Sequence, residues 1–480
     1  MKKNKSGIRE HATPIDLNSQ MFRDCGHKLV DQIADFFETL PAHPVTRGED
    51  AGTIRSLLGN GTVPEEGTDP GDLLEETARL LFDHSLFNGH PRFMGYITAP
   101  AAPIGVLGDF LASAVNSNAG GWALSPMASE IEAQTVRWIA QLIGYPASTG
   151  GLLVSGGNMA NFVGFLVGRR VKTGAEIRSE GLCSQNKNLT VYVSRETHTW
   201  IEKAADLFGL GTHAIRWVDT DEHLRMSIPA LKELINRDQK NGYHPFMVVG
   251  TAGTVGTGAV DPLAEIAEIC RQNDLWFHVD GAYGAPAALL PEYSAQFQAI
   301  ADADSVAVDP HKWFYAPLEA GCALVKEPQH MIDTFSFHPD YYNFSDDKED
   351  NPINYYEMGL QNSRGFRALK VWLGIRQAGK KGYTGLIRED IELAALLFKM
   401  AEQHPELEAL TNDLSIATFR YVPPELRNNL EKHSGYLDDL NRELLNRLQA
   451  GGEAFISNAV VLGKFALRAC IVNFRTGVKD

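Results

Sequence analysis

Six short runs rich in β-branched and aromatic residues, set between helical segments from about Gly89 to Glu327, constrain this chain more than any other feature. They are Leu152–Ser155, Thr190–Val193, Phe246–Gly250, Leu275–Asp280, Asp304–Val308 and Gly321–Val325. Strands alternating with helices build a mostly parallel sheet covered by helices, because parallel neighbours need a crossover long enough to hold a helix. One helix start is well marked: Asp261 is expected to cap and Pro262 to enter the first turn, ahead of Leu263, Ile266 and Ile269. In such α/β sheets ligands bind beyond the carboxyl ends of the strands. The residues that close each run therefore carry the functional expectation.

The flanks read differently. Residues 1–18 form a polar tail. From Met21 to Leu40 the apolar residues Phe22, Leu29, Ile33, Phe36, Phe37 and Leu40 recur at helical spacing, so an amphipathic helix is expected, docked either on its own domain or on a partner subunit. A stretch rich in Pro, Gly and acids follows to Asp72. Residues 336–357 combine turn formers and acids with several aromatics, which predicts a long, mobile, functional surface loop. Helical segments Phe366–Gln377 and Gly385–Gln403, then strand-like runs Ile416–Tyr421, Ala454–Ser457 and Phe465–Phe474, predict a smaller α+β C-terminal domain. The expected division is thus 1–88, 89–365 and 366–480.

Bulk properties exclude several functions. A net charge of -16 argues against a nucleic-acid partner, since phosphate backbones require a surplus of Lys and Arg. The five cysteines, Cys25, Cys183, Cys270, Cys322 and Cys470, are widely spaced with no C-x-x-C, so neither a disulfide framework nor a zinc site is expected. The basic start Met1–Lys5 is followed by no apolar stretch, and no run reaches a membrane span, so a soluble cytoplasmic enzyme without a metal is expected.

Two strand ends carry the chemistry. Lys312, in Asp309-Pro310-His311-Lys312-Trp313, follows the run Ser305–Val308, and Asp280, in His278-Val279-Asp280-Gly281-Ala282, closes the run from Leu275. A lone lysine after a strand is ordinarily solvated, and a lone aspartate there is often a helix cap. Together, a lysine that can hold a carbonyl cofactor as a Schiff base and an aspartate that keeps a pyridine nitrogen protonated meet the needs of pyridoxal phosphate. The small residues Gly281, Ala282, Gly284 and Ala285 leave room for a flat ring. A third element, Gly150–Asn161, reads as a strand, the glycine pair Gly156-Gly157 and a helix start at which N–H groups and the helix dipole can meet a phosphate. Thr251-Ala252-Gly253-Thr254 and His198, each just after a strand, are weaker candidates for contacts to such a ring.

In combination these elements resemble the pyridoxal-phosphate-dependent group II decarboxylases of the aromatic-L-amino-acid decarboxylase type, from about Met21 to the C-terminus. Supporting motifs are His90-Pro91-Arg92-Phe93, Trp122-Ala123-Leu124-Ser125-Pro126 with Glu130 and Glu132, and Ser363-Arg364-Gly365-Phe366-Arg367. The resemblance implies a fold-type I homodimer with shared active sites, the N-terminal helical segment packing across it. It implies Lys312 as the Schiff-base lysine, Asp280 as the pyridine-nitrogen partner, and His198 and Ala282 on opposite faces of the ring. Gly156, Gly157 and Asn158 would hold the phosphate, Thr254 would lie near the ring and His311 beside cofactor and substrate. Tyr341, with Tyr342 as the adjacent alternative, falls where the family places the loop tyrosine that protonates the α-carbon. Tyr96, Thr98, His311 and Ser363 would contact the substrate amino acid.

The implied reaction is decarboxylation of an L-amino acid to its amine, first of all an aromatic one. The alternatives are a polar substrate such as diaminobutyrate or glutamate, an oxidative aldehyde synthase of the same family, and a non-catalytic relative. Asn158 stands where relatives often carry Ser or Thr. Asn118 and Gly120 are polar or small where animal aromatic decarboxylases place larger groups, and Ile97 and Thr98 also differ from that subgroup. A tyrosine rather than a phenylalanine at 341 favours amine over aldehyde.

Overall fold

The computed structural model describes residues 13–59, 61–174, 176–182, 185, 188–337 and 352–480. The chain divides into two compact units, Met1–Phe93 with Asn446–Phe455, and Met94–Leu445 with Ile456–Asp480.

The first unit is helical. α1 spans Ser19–Thr39, where the periodicity predicts it, and Asn18 caps it by accepting from the backbone of Gln20 and Met21. The Pro/Gly/acid-rich stretch contains a helix the composition hides, α2 (Ala51–Leu58), which starts because Asp50 Oδ1 accepts from Thr53 N at 2.8 Å. α3 (Pro70–His84) opens with Asp69 as cap and Pro70 in the first turn. Phe36 of α1 stacks on Phe82 of α3 at 4.5 Å.

The second unit holds the site. Its main sheet has seven strands, β1 (Gly150–Val154), β2 (Leu189–Ser194), β3 (Ile215–Val218), β4 (His244–Thr251), β5 (Trp276–Asp280), β6 (Ser305–Val308) and β7 (Gly321–Val325), in the order β1-β7-β6-β5-β4-β2-β3. β3, β2, β4, β5 and β6 run parallel, and β7 is antiparallel to both of its neighbours. This is the helix-covered, mostly parallel sheet the alternation predicts, and burial on both faces explains the unbroken apolar runs. β3 escapes sequence reading because it is a four-residue edge strand containing Arg216, which pairs with Asp238 at 2.7 Å.

The helix after Pro262 forms as expected over Leu263–Asn273, but Asp261 does not cap it. Its carboxylate turns inward to accept from Met226 N at 2.7 Å and Thr251 N at 2.8 Å. It ties the end of β4 in place, and burial raises its pKa to about 6.

A second sheet has the order β10-β11-β9-β8, from β8 (Leu407–Asp413), β9 (Ile416–Tyr421), β10 (Ser457–Val461) and β11 (Lys464–Cys470). Polar, half-buried β8 is not legible in the sequence. The strand expected at 454–457 lies three residues further on, set by the turn at Leu462 and Gly463, both at positive φ. The two helical segments expected after Arg364 form as two helices within Ala368–Gln403, separated at Gly379, whose backbone at φ 63 and ψ 173 is non-helical. This stretch packs on α4 (Pro103–Val115) and α5 (Pro126–Leu142). Of the expected mobile loop at 336–357, residues 338–351 lie outside the described residues. At its described ends Phe337 and Ile353 are exposed, as a surface loop requires, whereas Tyr355 and Tyr356 are buried.

Candidate active site

The carboxyl ends of the parallel strands open into a cleft of about 680 Å³, walled by the termini of β4 and β5, the turn after β6 and the start of α6 (Gly157–Thr173). Lys312 reaches into it from the turn after β6. Its Nζ lies 3.1 Å from Asp309 Oδ2, and Lys312 N donates to Asp309 O at 2.9 Å, so one tight turn sets both groups. Asp309 is 1% exposed and its other oxygen, Oδ1, is buried with no partner. An orphaned carboxylate oxygen beside a ligand-sized cleft marks a position whose partner comes from outside the chain.

Asp280 closes β5 on the same cleft. Trp200 Nε1 donates to its Oδ2 at 2.8 Å and Ala282 N to its Oδ1 at 3.3 Å. These two neutral donors hold the carboxylate without a cation and leave it for an incoming positive group. Behind it, His278 is fully buried between Ser305 Oγ and Asn161 Oδ1, each at 2.7 Å, and burial pushes its pKa down to about 4. His278 is thus a neutral buttress tying β5 to β6 and α6.

His198 lines the cleft, its ring reached by solvent. Trp200 N donates to its Nδ1 at 3.3 Å, which leaves the proton of the neutral ring on Nε2. Desolvation lowers its pKa below the ordinary imidazole value, against the pull of Asp280. A neutral ring suits stacking. His311, also in the lining, is seated against Ala320 through Nδ1 at 2.7 Å from the carbonyl, and its pKa is lowered chiefly by burial.

β1 leads through Ser155 and Gly156 into α6, which has no side-chain cap. Gly156, Gly157 and Asn158 line the cleft, and the first-turn N–H groups of a helix have no partner within it. Gly156 has φ 137, and a Cβ on Gly157 would sit 2.6 Å from Asp309 Oδ2. Both glycines are therefore required by geometry, and the uncapped helix end offers N–H groups that suit an anion such as a phosphate.

Ala282, Tyr96 and Thr98 also line the cleft, and Tyr96 stands in the left-handed region at φ 52. Other expected residues do not gather there. Thr254 is buried and bonded to Thr257 Oγ1 at 3.1 Å, outside the lining; Thr251 lines the cleft instead, with a buried hydroxyl lacking a partner. β4 ends at Thr251, and Thr254 follows three residues beyond the strand end. Ser363 is exposed and outside the lining. Asn118 and Gly120 do not line it either: Asn118 Oδ1 accepts from Gly120 N and Arg364 N, and a Cβ on Gly120 would meet Asn362 O. Tyr341 and Tyr342 lie outside the described residues. Sequence reasoning also missed Asp309, which only the fold of its turn sets against Lys312, and Trp200, whose partner Asp280 is distant in sequence.

The supporting motifs build the frame. Trp122 Nε1 donates to Glu130 Oε1 at 2.9 Å. Glu132 is completely buried, accepts from Leu153 N at 2.8 Å and is clasped by Arg364, whose Nη1 also donates to Ala119 O at 2.9 Å. This pair fixes β1 and therefore the approach to α6.

A primary amine, a carboxylate held by neutral donors and an uncapped helix start thus converge on one cleft. They fit the aldehyde, ring nitrogen and phosphate of pyridoxal phosphate, and the orphaned Asp309 Oδ1 and the glycine cradle give the space such a group needs. Among the described residues no cluster of side chains could hold a metal ion.

Comparison with known proteins bears on the same chemistry. Residues 54–422 match the family model of the pyridoxal-dependent decarboxylase conserved domain. An aromatic-L-amino-acid decarboxylase from Bacillus atrophaeus is 36% identical, over 97% of this chain and 94% of its own length. The crystal structure of Catharanthus roseus tryptophan decarboxylase in complex with L-tryptophan superimposes with a TM-score of 0.86 at 25% identity, over 97% of this chain and 96% of that one. That of Oryza sativa TDC with PLP and tryptamine, at 24% identity and a TM-score of 0.89 over 97% of this chain and 96% of that one, shares the fold.

Proposed function

This chain belongs to the pyridoxal-dependent decarboxylase family, and from that premise we propose that it converts an aromatic L-amino acid into its amine and carbon dioxide. The observation that carries the reading is the convergence of Lys312, Asp280 and the start of α6 on one cleft. Pyridoxal phosphate, when bound, supplies a protonated ring that takes up the electron pair of the breaking bond. Lys312 would hold it through its ε-amine, and Asp280 would keep the ring nitrogen protonated. Gly156, Gly157 and Asn158 would hold the phosphate, with His198 and Ala282 on the two faces of the ring.

The lining supports an aromatic substrate. Ile97, Met159, Phe162, Val255 and Leu318 give the cleft an apolar wall, and among the described residues that line it Lys312 is the one Lys or Arg. An acidic side chain would find no dedicated cation in this protomer. Tyr96, Thr98 and His311 would contact the substrate, with Ser363 added from its position in the family motif. Tyr341, or its neighbour Tyr342, would deliver the proton to the α-carbon.

The functional unit we propose is a cytoplasmic homodimer with shared sites, residues 1–88 packing across it, 89–365 holding the cofactor and 366–480 forming the smaller domain. Leu107, Phe110, Leu111 and Val115 on α4 are more than half exposed, an apolar surface of the kind a second copy covers. Among the described residues no helix is long and apolar enough to cross a membrane.

The test is incubation of the purified protein and pyridoxal phosphate with each common L-amino acid, DOPA and diaminobutyrate, measuring carbon dioxide, amine, aldehyde and peroxide together. Amine and carbon dioxide from aromatic substrates are expected. Turnover of glutamate or diaminobutyrate alone would move the substrate to the polar class. Aldehyde with peroxide would make it an oxidative enzyme, and no product from any candidate would contradict the proposal.

A further inference from the structure

The turn that carries Lys312 is held from behind by a carboxylate outside the cleft. Between β6 and β7 the chain folds on itself through Lys312 N to Asp309 O, 2.9 Å, and Ala316 N to Pro310 O, 3.1 Å, with Tyr315 in the left-handed region at φ 53. For a bulky aromatic residue that backbone is strained and persists only where the surroundings hold it. Asp390, on the helix that follows Gly379 and ends at Gln403, supplies the hold. Its Oδ2 accepts from both Trp313 Nε1 at 2.8 Å and Tyr315 Oη at 2.7 Å, and its Oδ1 accepts from Asn473 N at 3.4 Å. Asp390 is 2% exposed and lies outside the cleft lining. Aromatic packing completes the clamp, with Trp313 stacked on Tyr283 at 5.0 Å and Tyr315 on Tyr383 at 6.4 Å.

Burying a carboxylate is unfavourable unless its hydrogen bonds offset the lost hydration. Here both strong bonds go to the two residues that flank Phe314, immediately after Lys312. We propose that Asp390 is a positioning residue: by fixing Trp313 and Tyr315 it fixes the peptide from which Lys312 projects, and so keeps the amine aimed into the cleft. This inference rests on the reading of Lys312 as the lysine that holds the cofactor.

The test measures covalent capture of pyridoxal phosphate by the full-length protein after the cofactor is stripped. In that step Lys312 Nζ forms a C=N bond to the aldehyde carbon and one water leaves. Capture is followed by the visible absorbance of the lysine-bound cofactor and mapped by borohydride reduction. Asp390→Leu removes the acceptor; Asp390→Asn keeps one carbonyl oxygen but sets an NH₂ against a backbone N–H. Asn441→Ala is the control, because Asn441 is equally buried and holds Tyr421 through bonds of 2.7 and 2.9 Å, away from this turn.

We expect Asp390→Leu to slow capture and weaken cofactor affinity by about tenfold or more, the scale on which small misplacements of a reacting group act. Asp390→Asn should fall between it and wild type, and Asn441→Ala should lose thermal midpoint yet capture at the wild-type rate. If Asp390→Leu does not fold, Asp390→Asn decides: slowed capture supports the proposal, and a wild-type rate overturns it. Capture that falls in step with thermal midpoint in all three variants also overturns it. Wild-type protein labelled at a lysine other than Lys312 overturns the premise as well; labelling at Lys312 with normal capture by the Asp390 variants overturns the role of Asp390 alone.

Discussion

Glu132 and Asp309 are both buried carboxylates in the same unit, and they are treated oppositely. Glu132 accepts from the Leu153 amide and is clasped by the Arg364 guanidinium, which spends further donors on Ala119 and Leu153 carbonyls. Asp309 has the Lys312 amine on one oxygen and nothing on the other. The first is a structural joint between α5, β1 and the Ser363–Arg367 motif, in which both Glu132 oxygens are paired and only Nε of the Arg364 guanidinium lacks a partner. The second is an unfinished site whose groups face a cleft. Protein interiors satisfy their polar groups almost everywhere, so an exception at a strand-end cleft points to ligand chemistry rather than to stability.

The contrast can be broken in several ways. Lys312→Ala should remove turnover and the visible absorbance of the bound cofactor entirely; residual absorbance attached to protein would break the functional half. Arg364→Ala should leave Glu132 buried without its cation and cost about 3–5 kcal/mol of stability by denaturant unfolding, while folded molecules keep their cofactor. An unchanged denaturation midpoint would break the structural half.

pH sharpens the comparison through His278. Its folded pKa of about 4 lies below the ordinary histidine value of 6.5, so the unfolded chain binds the extra proton and stability falls as pH drops from 6.5 towards 4. His278→Gln removes this loss, and across that window the variant should gain on wild type by up to about 3 kcal/mol. Asp261, raised to about 6 by burial, works in the opposite direction in both proteins and cancels from the difference. A pH-independent gap would place the buttress histidine in solvent. The smallest effect is expected from Gly157→Ala, whose Cβ would meet Asp309 Oδ2; by equilibrium dialysis it should weaken pyridoxal phosphate binding by about 1–3 kcal/mol. Unaltered affinity would remove the α6 cradle from the site.

Much of this was legible in the chain. The buried strands β1, β2, β4, β5, β6 and β7 announce themselves as apolar runs, and Asp280 and Lys312 stand at their ends because parallel sheets gather such residues on one edge. Features set by partners distant in sequence were not legible. Asp261 looks like a helix cap and is instead a β4 tether, because two backbone amides from other elements compete for it. Thr254 stands in a motif just after a strand, yet β4 stops at Thr251, and of the two threonines it is Thr251 that lines the cleft. β3 and β8 lack the apolar pattern because one is a short edge and the other is half-buried.

The most direct test of the account is reduction of the cofactor-loaded wild-type protein with borohydride, followed by peptide mapping. The account predicts a single pyridoxyl group on Lys312, lost when an aromatic amino acid is added before the reductant. Label on a different lysine, or protein that retains no label, would contradict it.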